Sequence, residues 1–255
     1  MEEHLLLSGQ LAAALESGEF RPSSIIDTAP GYVTVGAKTI EDSRNLGRVS
    51  LTTILARSSN VGVTKLAMSL EPEQLWKTMT RFGLGTLTTS GFPGESAGLL
   101  TPYNHWRDIN QATLAYGYGI SVTPLQLAQA YAILGSNGMA RPVSLVALDG
   151  QPDGDRVLAT DSASAVKRML EEVVRPGGTG TKASIPGYRV AGKTGTAWKF
   201  ATGGYSKDKY ISIFAGLVPA SDPRLAAVVV IDEPTGELYY GSDVAAPVFA
   251  EVMSE

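Results

Sequence analysis

The chain of 255 residues carries 21 basic and 25 acidic side chains, a formal charge of −4, and 44% apolar residues, which is enough for a sizeable core and excludes a disordered tail. With no cysteine and only two histidines, His4 and His105, disulfides, thiolate sites and multi-histidine metal centres are excluded, and a Ser-His-Asp triad would have to use one of those two. No Lys/Arg block occurs, so nucleic acid is not an expected partner.

Leu5, Leu6, Leu7, Leu11, Ala14 and Leu15 mark a helix ended by Gly18. The acidic start, Met1-Glu2-Glu3-His4, is unlike the basic start of a signal peptide. Residues 19–48 read as loop with short strands. Helices are predicted over Ser50–Arg57, Val61–Leu70 and Glu73–Phe82, and a turn-rich stretch follows around Gly83, Gly85, Gly91, Gly94 and Gly98. Thr123 is the predicted N-cap of a helix over Pro124–Leu134. Another helix is predicted over Asp161–Val174. The period then changes, and Tyr188–Ala191, Tyr210–Val218 and Leu225–Ile231 read as strands. A helix over Asp243–Met253 ends the chain. Helices followed by clustered strands indicate an α+β class, with a mostly helical part over about 8–180 and a sheet part over about 181–255. The longest apolar run, Leu225 to Ile231, falls far short of the roughly 20 residues that a membrane-spanning helix needs. The chain alone therefore has no expected signal or transmembrane segment.

Two readings compete for one segment. Gly187 to Thr194 matches the phosphate-binding pattern G-x-x-x-x-G-K-[ST], and Val228–Asp232 resembles the apolar strand and Asp that accompany it. A phosphate loop needs a strand before it and a helix after it. Here Pro186 precedes Gly187, and Gly195 and Gly203-Gly204 leave no room for a helix. The other reading puts Lys193-Thr194-Gly195-Thr196 on a strand. Gly195 lets an extended substrate lie against the strand edge. Lys193 brings positive charge to the reacting groups. The Thr194 and Thr196 hydroxyls can bond a carboxylate, and the Thr196 N–H can donate to an oxyanion. Ser58-Ser59-Asn60 is an S-x-N string: Ser58 could relay a proton to a leaving amine and Asn60 could hold substrate. Alone it is weak, because Ser and Asn are favoured N-caps and Asn60 precedes a helical pattern.

The strings also combine. Ser58-Ser59-Asn60-Val61-Gly62-Val63-Thr64-Lys65, Arg81–Gly85, Gly91–Glu95, Tyr116–Leu127, Val190–Ala197, Val229–Pro234, Tyr239-Tyr240-Gly241 and Ala246–Phe249 occur in order. From about Ser8 to Glu255 the chain resembles the transpeptidase domain of division-type class B penicillin-binding proteins, which cross-link septal peptidoglycan. K-T-G belongs with S-x-N and S-x-x-K to that acyltransferase set. The resemblance implies an antiparallel sheet flanked by helices plus an all-α part, with a cleft between them. It gives Ser58 and Asn60 the S-x-N roles and Lys193, Gly195 and Thr196 the K-T-G-T roles. Tyr118, Tyr210, Tyr239 and Tyr240 match positions lining the family's cleft, and Thr194 joins them as substrate-binding. It implies D-Ala-D-Ala stem peptides as substrate and no metal or organic cofactor. It places the parent protein in the bacterial inner membrane with this domain in the periplasm, beside a membrane glycosyltransferase and other division proteins.

One departure stands out. The family's Ser-x-x-Lys nucleophile window falls over His4-Leu5-Leu6-Leu7, where neither residue type occurs. Counterparts of the family's first strands, membrane anchor and N-terminal domain are also missing. An N-terminally truncated domain is therefore expected, without turnover and with β-lactam acylation only if a nucleophile is supplied. A catalytically silent peptide- or partner-binding module is the alternative, and a nucleotide site through Gly187–Thr194 a remoter one. Two other S-x-x-K strings read as coincidence: Ser164–Lys167 on the outer side of its helix, and Ser206–Lys209 in a polar loop.

Overall fold

A computed structural model describes residues 6–201 and 204–255. Helix α1 (Leu7–Glu16) is buried on most of its surface, as its Leu and Ala content dictates. Gln10 tolerates that burial because its Nε2 donates to Leu114 O at 3.1 Å. The chain then forms two small antiparallel pairs. Strand β1 (Ile25–Asp27) pairs with β4 (Arg48–Ser50), and β2 (Tyr32–Val35) forms a hairpin with β3 (Lys38–Glu41).

Helices α2 (Leu51–Arg57) and α3 (Asn60–Met68) are joined by Ser58 and Ser59 alone. Ser50 caps α2, and Ser59 caps α3 through Gly62 N at 2.9 Å. The cap is thus Ser59, and Asn60 is the first helical residue, which frees its amide for other work. Helix α4 (Pro72–Arg81) follows. Two-residue strands β5 (Leu99–Leu100) and β6 (Ile120–Ser121) pair across α5 (Asp108–Leu114), a short helix that the apolar pattern did not reveal. Helix α6 (Pro124–Gly135) starts with the expected Thr123 cap, reinforced by Gln126 in a capping box. Strands β7 (Met139–Ala140) and β8 (Asp155–Arg156) pair before the amphipathic α7 (Thr160–Val174).

The main sheet has three described strands in the order β11 (Leu225–Asp232), β10 (Gly204–Val218), β9 (Ala191–Ala201), all antiparallel. Alternation sorts their side chains onto two faces. Ile213, Ala215 and Leu217 join the core shared with α1, α6 and α7, whereas Phe214, Val229 and Ile231 meet α8 (Gly241–Ser254) through Ala245, Ala246 and Phe249. Gly192 and Gly216 face each other in register, and a Cβ on either would collide with the Phe214 ring. The two glycines therefore make room for the Phe214–Phe249 contact, with ring centroids 4.7 Å apart.

Three expectations need correction, and one alternative is excluded. The strand predicted over Tyr188–Ala191 begins only at Ala191 and runs to Ala201, because Gly187 (φ +82°) turns the chain there and Tyr188 bridges back to Ile185. Lys193 and Thr194 lie within β9, which runs on to Ala201 where a phosphate loop would open a helix, so Gly187–Thr194 cannot wrap a phosphate and the nucleotide reading is excluded. Ser206, Asp208 and Lys209 fall inside β10 and not in a loop, with Lys209 paired to Glu233 at 3.1 Å. Ser164 is half-buried and donates to Asn137 Oδ1 at 3.4 Å, so it is less solvated than the helix pattern predicts, though still peripheral.

Candidate active site

Ser58 follows the last turn of α2 with φ 55° and ψ 48°, a left-handed conformation that a serine adopts at a cost. This bend turns the chain between α2 and α3 and brings the half-buried side chain to Lys193. Asp42, just after β3, fixes the bend from outside. Its carboxylate accepts from Ser59 Oγ at 2.6 Å and from Val61 N at 3.0 Å. A negative charge at the first turn of α3 also suits the helix dipole.

Lys193 enters from β9, fully buried. Its Nζ lies 2.5 Å from Ser58 Oγ, 3.0 Å from Thr194 O and 3.4 Å from Thr194 Oγ1. No carboxylate is among these partners. Burial alone pushes its pKa down to about 7, because the ammonium loses hydration without gaining a counter-charge. Thr179, from the loop after α7, closes the ring of hydroxyls: its Oγ1 accepts from Thr194 Oγ1 at 3.1 Å and stands 3.4 Å from Ser58 Oγ. The loop is held by Thr179 N to Ala56 O at 3.1 Å and Gly180 N to Val173 O at 2.8 Å.

These groups floor a cleft of about 290 Å³. Thr194, Gly195, Thr196 and Trp198 of β9 line it. Tyr210, Tyr239 and Tyr240 add an aromatic wall: the first two rings stack with centroids 4.0 Å apart, and Tyr240 leans on Tyr239 at 4.4 Å. Two bonds tie this aromatic wall to the sheet. Gly241 N donates to Thr196 Oγ1 at 2.9 Å, and Ser212 Oγ donates to Tyr239 O.

Of the residues singled out in the sequence, Ser58, Thr194, Gly195, Thr196, Tyr210, Tyr239 and Tyr240 line this cleft, and Lys193 reaches it through Ser58. Asn60 lies around the corner, lining with Ser58 an adjoining cleft of about 470 Å³. Its Nδ2 donates to Glu41 O at 3.4 Å, and its buried Oδ1 has no protein partner. Tyr118 is not part of either lining. It packs edge-on against Tyr116 with Lys38 above both rings. Within the Ser-x-x-Lys window, Leu6 and Leu7 are buried at the start of α1, while His4 and Leu5 lie outside the described residues.

Asp42, Thr179 and Trp198 were not foreseen. Thr179 had one weak signal, its place in the run Gly177-Gly178-Thr179-Gly180; Asp42 had none. Asp42→Asn is expected to weaken the bend by about 1–2 kcal/mol, the worth of a charge-assisted cap. Urea unfolding of both proteins measures it, and equal midpoints would remove Asp42 from this role.

The penicillin-binding protein transpeptidase domain model matches residues 10–254. The peptidoglycan D,D-transpeptidase FtsI of Escherichia coli is 45% identical over 240 residues, covering 94% of this chain and 40% of FtsI. A probable peptidoglycan D,D-transpeptidase, PenA, of Neisseria flavescens is 40% identical over 244 residues, covering 96% of this chain and 60% of PenA. The transpeptidase domain of Burkholderia pseudomallei penicillin-binding protein 3 superposes with a TM-score of 0.93 at 38% identity, covering 98% of this chain and 76% of that one. The chain thus spans only part of the length of its curated relatives.

Proposed function

The chain belongs to the penicillin-binding protein transpeptidase family, and we propose that it forms the acyl-transfer domain of a peptidoglycan D,D-transpeptidase working at the division septum. The observation that carries this reading is the Lys193–Ser58 bond, which joins the K-T-G strand to the S-x-N bend across a cleft. β9 is the outer strand of its sheet. An extended stem peptide can therefore add along its free edge, with Gly195 offering no side chain to block it. The Thr194 and Thr196 hydroxyls meet the terminal carboxylate. Asn60 borders the adjoining cleft beside Ser58, where its amide holds the part of the peptide that extends past Ser58, and the tyrosine wall covers the peptide's apolar side. Ser58 and Lys193 pass a proton to the leaving D-Ala amine when the acyl group moves to a serine, and the acyl group then goes to an amine of a second stem peptide.

The acylated serine of the family belongs to a window in which this sequence has neither Ser nor Lys. The activity expected of this chain is therefore non-covalent peptide binding, with β-lactams acylating only where that serine is supplied. Among the described residues no helix is long and apolar enough to cross a membrane. A periplasmic setting, a membrane anchor and a glycosyltransferase partner belong to the parent protein under this reading.

Trp198, 46% exposed at the cleft, provides a reporter. Titration with an N-acyl peptide ending in D-Ala-D-Ala is expected to change its fluorescence saturably. Thr196→Ala is expected to weaken binding about tenfold, the value of one lost charge-assisted hydrogen bond. The L-Ala-L-Ala peptide is expected to bind far more weakly; equal responses to the two peptides, or none to either, would overturn the reading.

A further inference from the structure

We propose that Ser58 and Lys193 constitute a serine–lysine dyad in their own right, with Ser58 acting as a nucleophile toward compact, activated acyl esters. This goes beyond proton relay: Ser58 itself would carry the acyl group. Nothing in the inference depends on a peptide substrate, so it stands or falls separately from the reading above.

Four features support it. The Oγ and Nζ atoms are within direct hydrogen-bond reach at 2.5 Å, the first requirement for a nucleophile and its base. The base is itself oriented, because Thr194 O and Thr194 Oγ1 hold Nζ and Thr179 holds the Thr194 hydroxyl. Ser58 sits on a left-handed bend between two helices, a placement comparable to a nucleophile elbow, and it is reached from both adjoining clefts. Lastly, the amine can be neutral near neutral pH. It is buried, and the nearby carboxylates are engaged with other groups. Asp42 binds Ser59 and Val61, and Asp243 of α8 pairs with Lys182 at 2.7 Å. The remaining titratable groups lining the first cleft are the tyrosines. The adjoining cleft adds Asp42, Arg44 and Arg57.

The step balances within the dyad. Ser58 Oγ bonds to the carbonyl carbon while its proton passes to Lys193 Nζ. The ester C–O bond then breaks, and the departing oxygen either takes that proton or, when it is a stabilised phenolate, leaves without it. Where the phenolate leaves without it, Lys193 first gives its proton to solvent; water then attacks the acyl carbon, losing a proton to Lys193, which returns it to Ser58 Oγ as the C–O bond to Ser58 breaks and the acid departs. The Thr179 hydroxyl, 3.4 Å from Ser58 Oγ, is the hydroxyl donor available to the developing oxyanion. A single hydroxyl donor suits activated acyl groups better than amides.

The test uses the 255-residue chain with a fluorophosphonate probe and p-nitrophenyl acetate. Peptide mapping by mass spectrometry is expected to place one phosphonate adduct on Ser58. Labelling should rise with pH through a single ionisation near neutrality. Lys193→Met should slow it at least about 100-fold, the lower range for a lost general base, and Ser58→Ala should abolish it together with ester turnover above buffer. Ser164→Ala, outside the dyad but within the other Ser-x-x-Lys string, should label at the wild-type rate. A circular dichroism melt accompanies each variant, and the wild-type adduct site decides the matter if a variant fails to fold. Absence of an adduct on Ser58, a flat pH profile, or wild-type labelling of a folded Lys193→Met variant would overturn the dyad.

Discussion

Replacing Lys193 with methionine is expected to flatten the dependence of stability on alkaline pH. In the folded chain burial holds the lysine pKa at about 7, against an ordinary value of 10.5. Between those two values the unfolded chain binds a proton that the folded chain does not. Stability therefore rises with pH across that window, by up to about 1.4 kcal/mol per unit. Below the window both states are protonated, and the folded state bears the full cost of a buried ammonium. Between pH 7 and 9 the wild type should thus gain about 2–3 kcal/mol that Lys193→Met does not. Methionine forfeits the bonds to Ser58 and Thr194, which offsets the two curves by a roughly constant amount but leaves their difference in slope intact. Urea unfolding at several pH values measures this. Parallel curves for the two proteins would show that Lys193 stays charged, and that the cleft is wetter than its burial implies.

The parts of the molecule legible from sequence were those fixed by local chemistry. Thr123 before Pro124 announced α6, and the apolar face around Val166, Met169, Leu170 and Val173 announced α7. The strand carrying Lys193 was harder. Glycines at 192 and 195 interrupt the alternation that marks a strand, and for Gly192 the reason is tertiary: it clears the Phe214 ring. The site itself joins segments far apart in the chain. Ser58 and Lys193 are 135 residues apart, and Ser58 and Thr179 are 121 apart. No local pattern encodes such contacts, so Ser58 and Lys193 were reached through family motifs, whereas Asp42 and Thr179, outside those motifs, needed coordinates. Tyr118 shows the converse: a motif match brought it to attention, and packing against Tyr116 keeps it out of the cleft lining.

Gly241→Ala is expected to be the most damaging single-methyl change near the cleft. Gly241 opens α8 immediately after the Tyr239-Tyr240 wall and donates to Thr196 Oγ1 at 2.9 Å. A Cβ there would lie 2.3 Å from Gly195 O and 2.4 Å from Ile213 O. Both contacts are backbone atoms of paired strands, Gly195 standing opposite Ile213 in the β9–β10 register, so no side chain can rotate aside. Relief requires α8 to retreat from the sheet or β9 to shift, and either movement opens the Thr196–Gly241 bond. The expected cost is about 3 kcal/mol, at the upper end for overpacking because the collision is with rigid backbone. Peptide binding should fall with it, since the same displacement separates the tyrosine wall from Thr196. Gly236→Ala is the matched control, since the nearest atom to an added Cβ there is 3.9 Å away. Should Gly241→Ala melt with the wild type and bind peptide equally well, α8 would not hold the wall and the K-T-G-T strand in fixed relation.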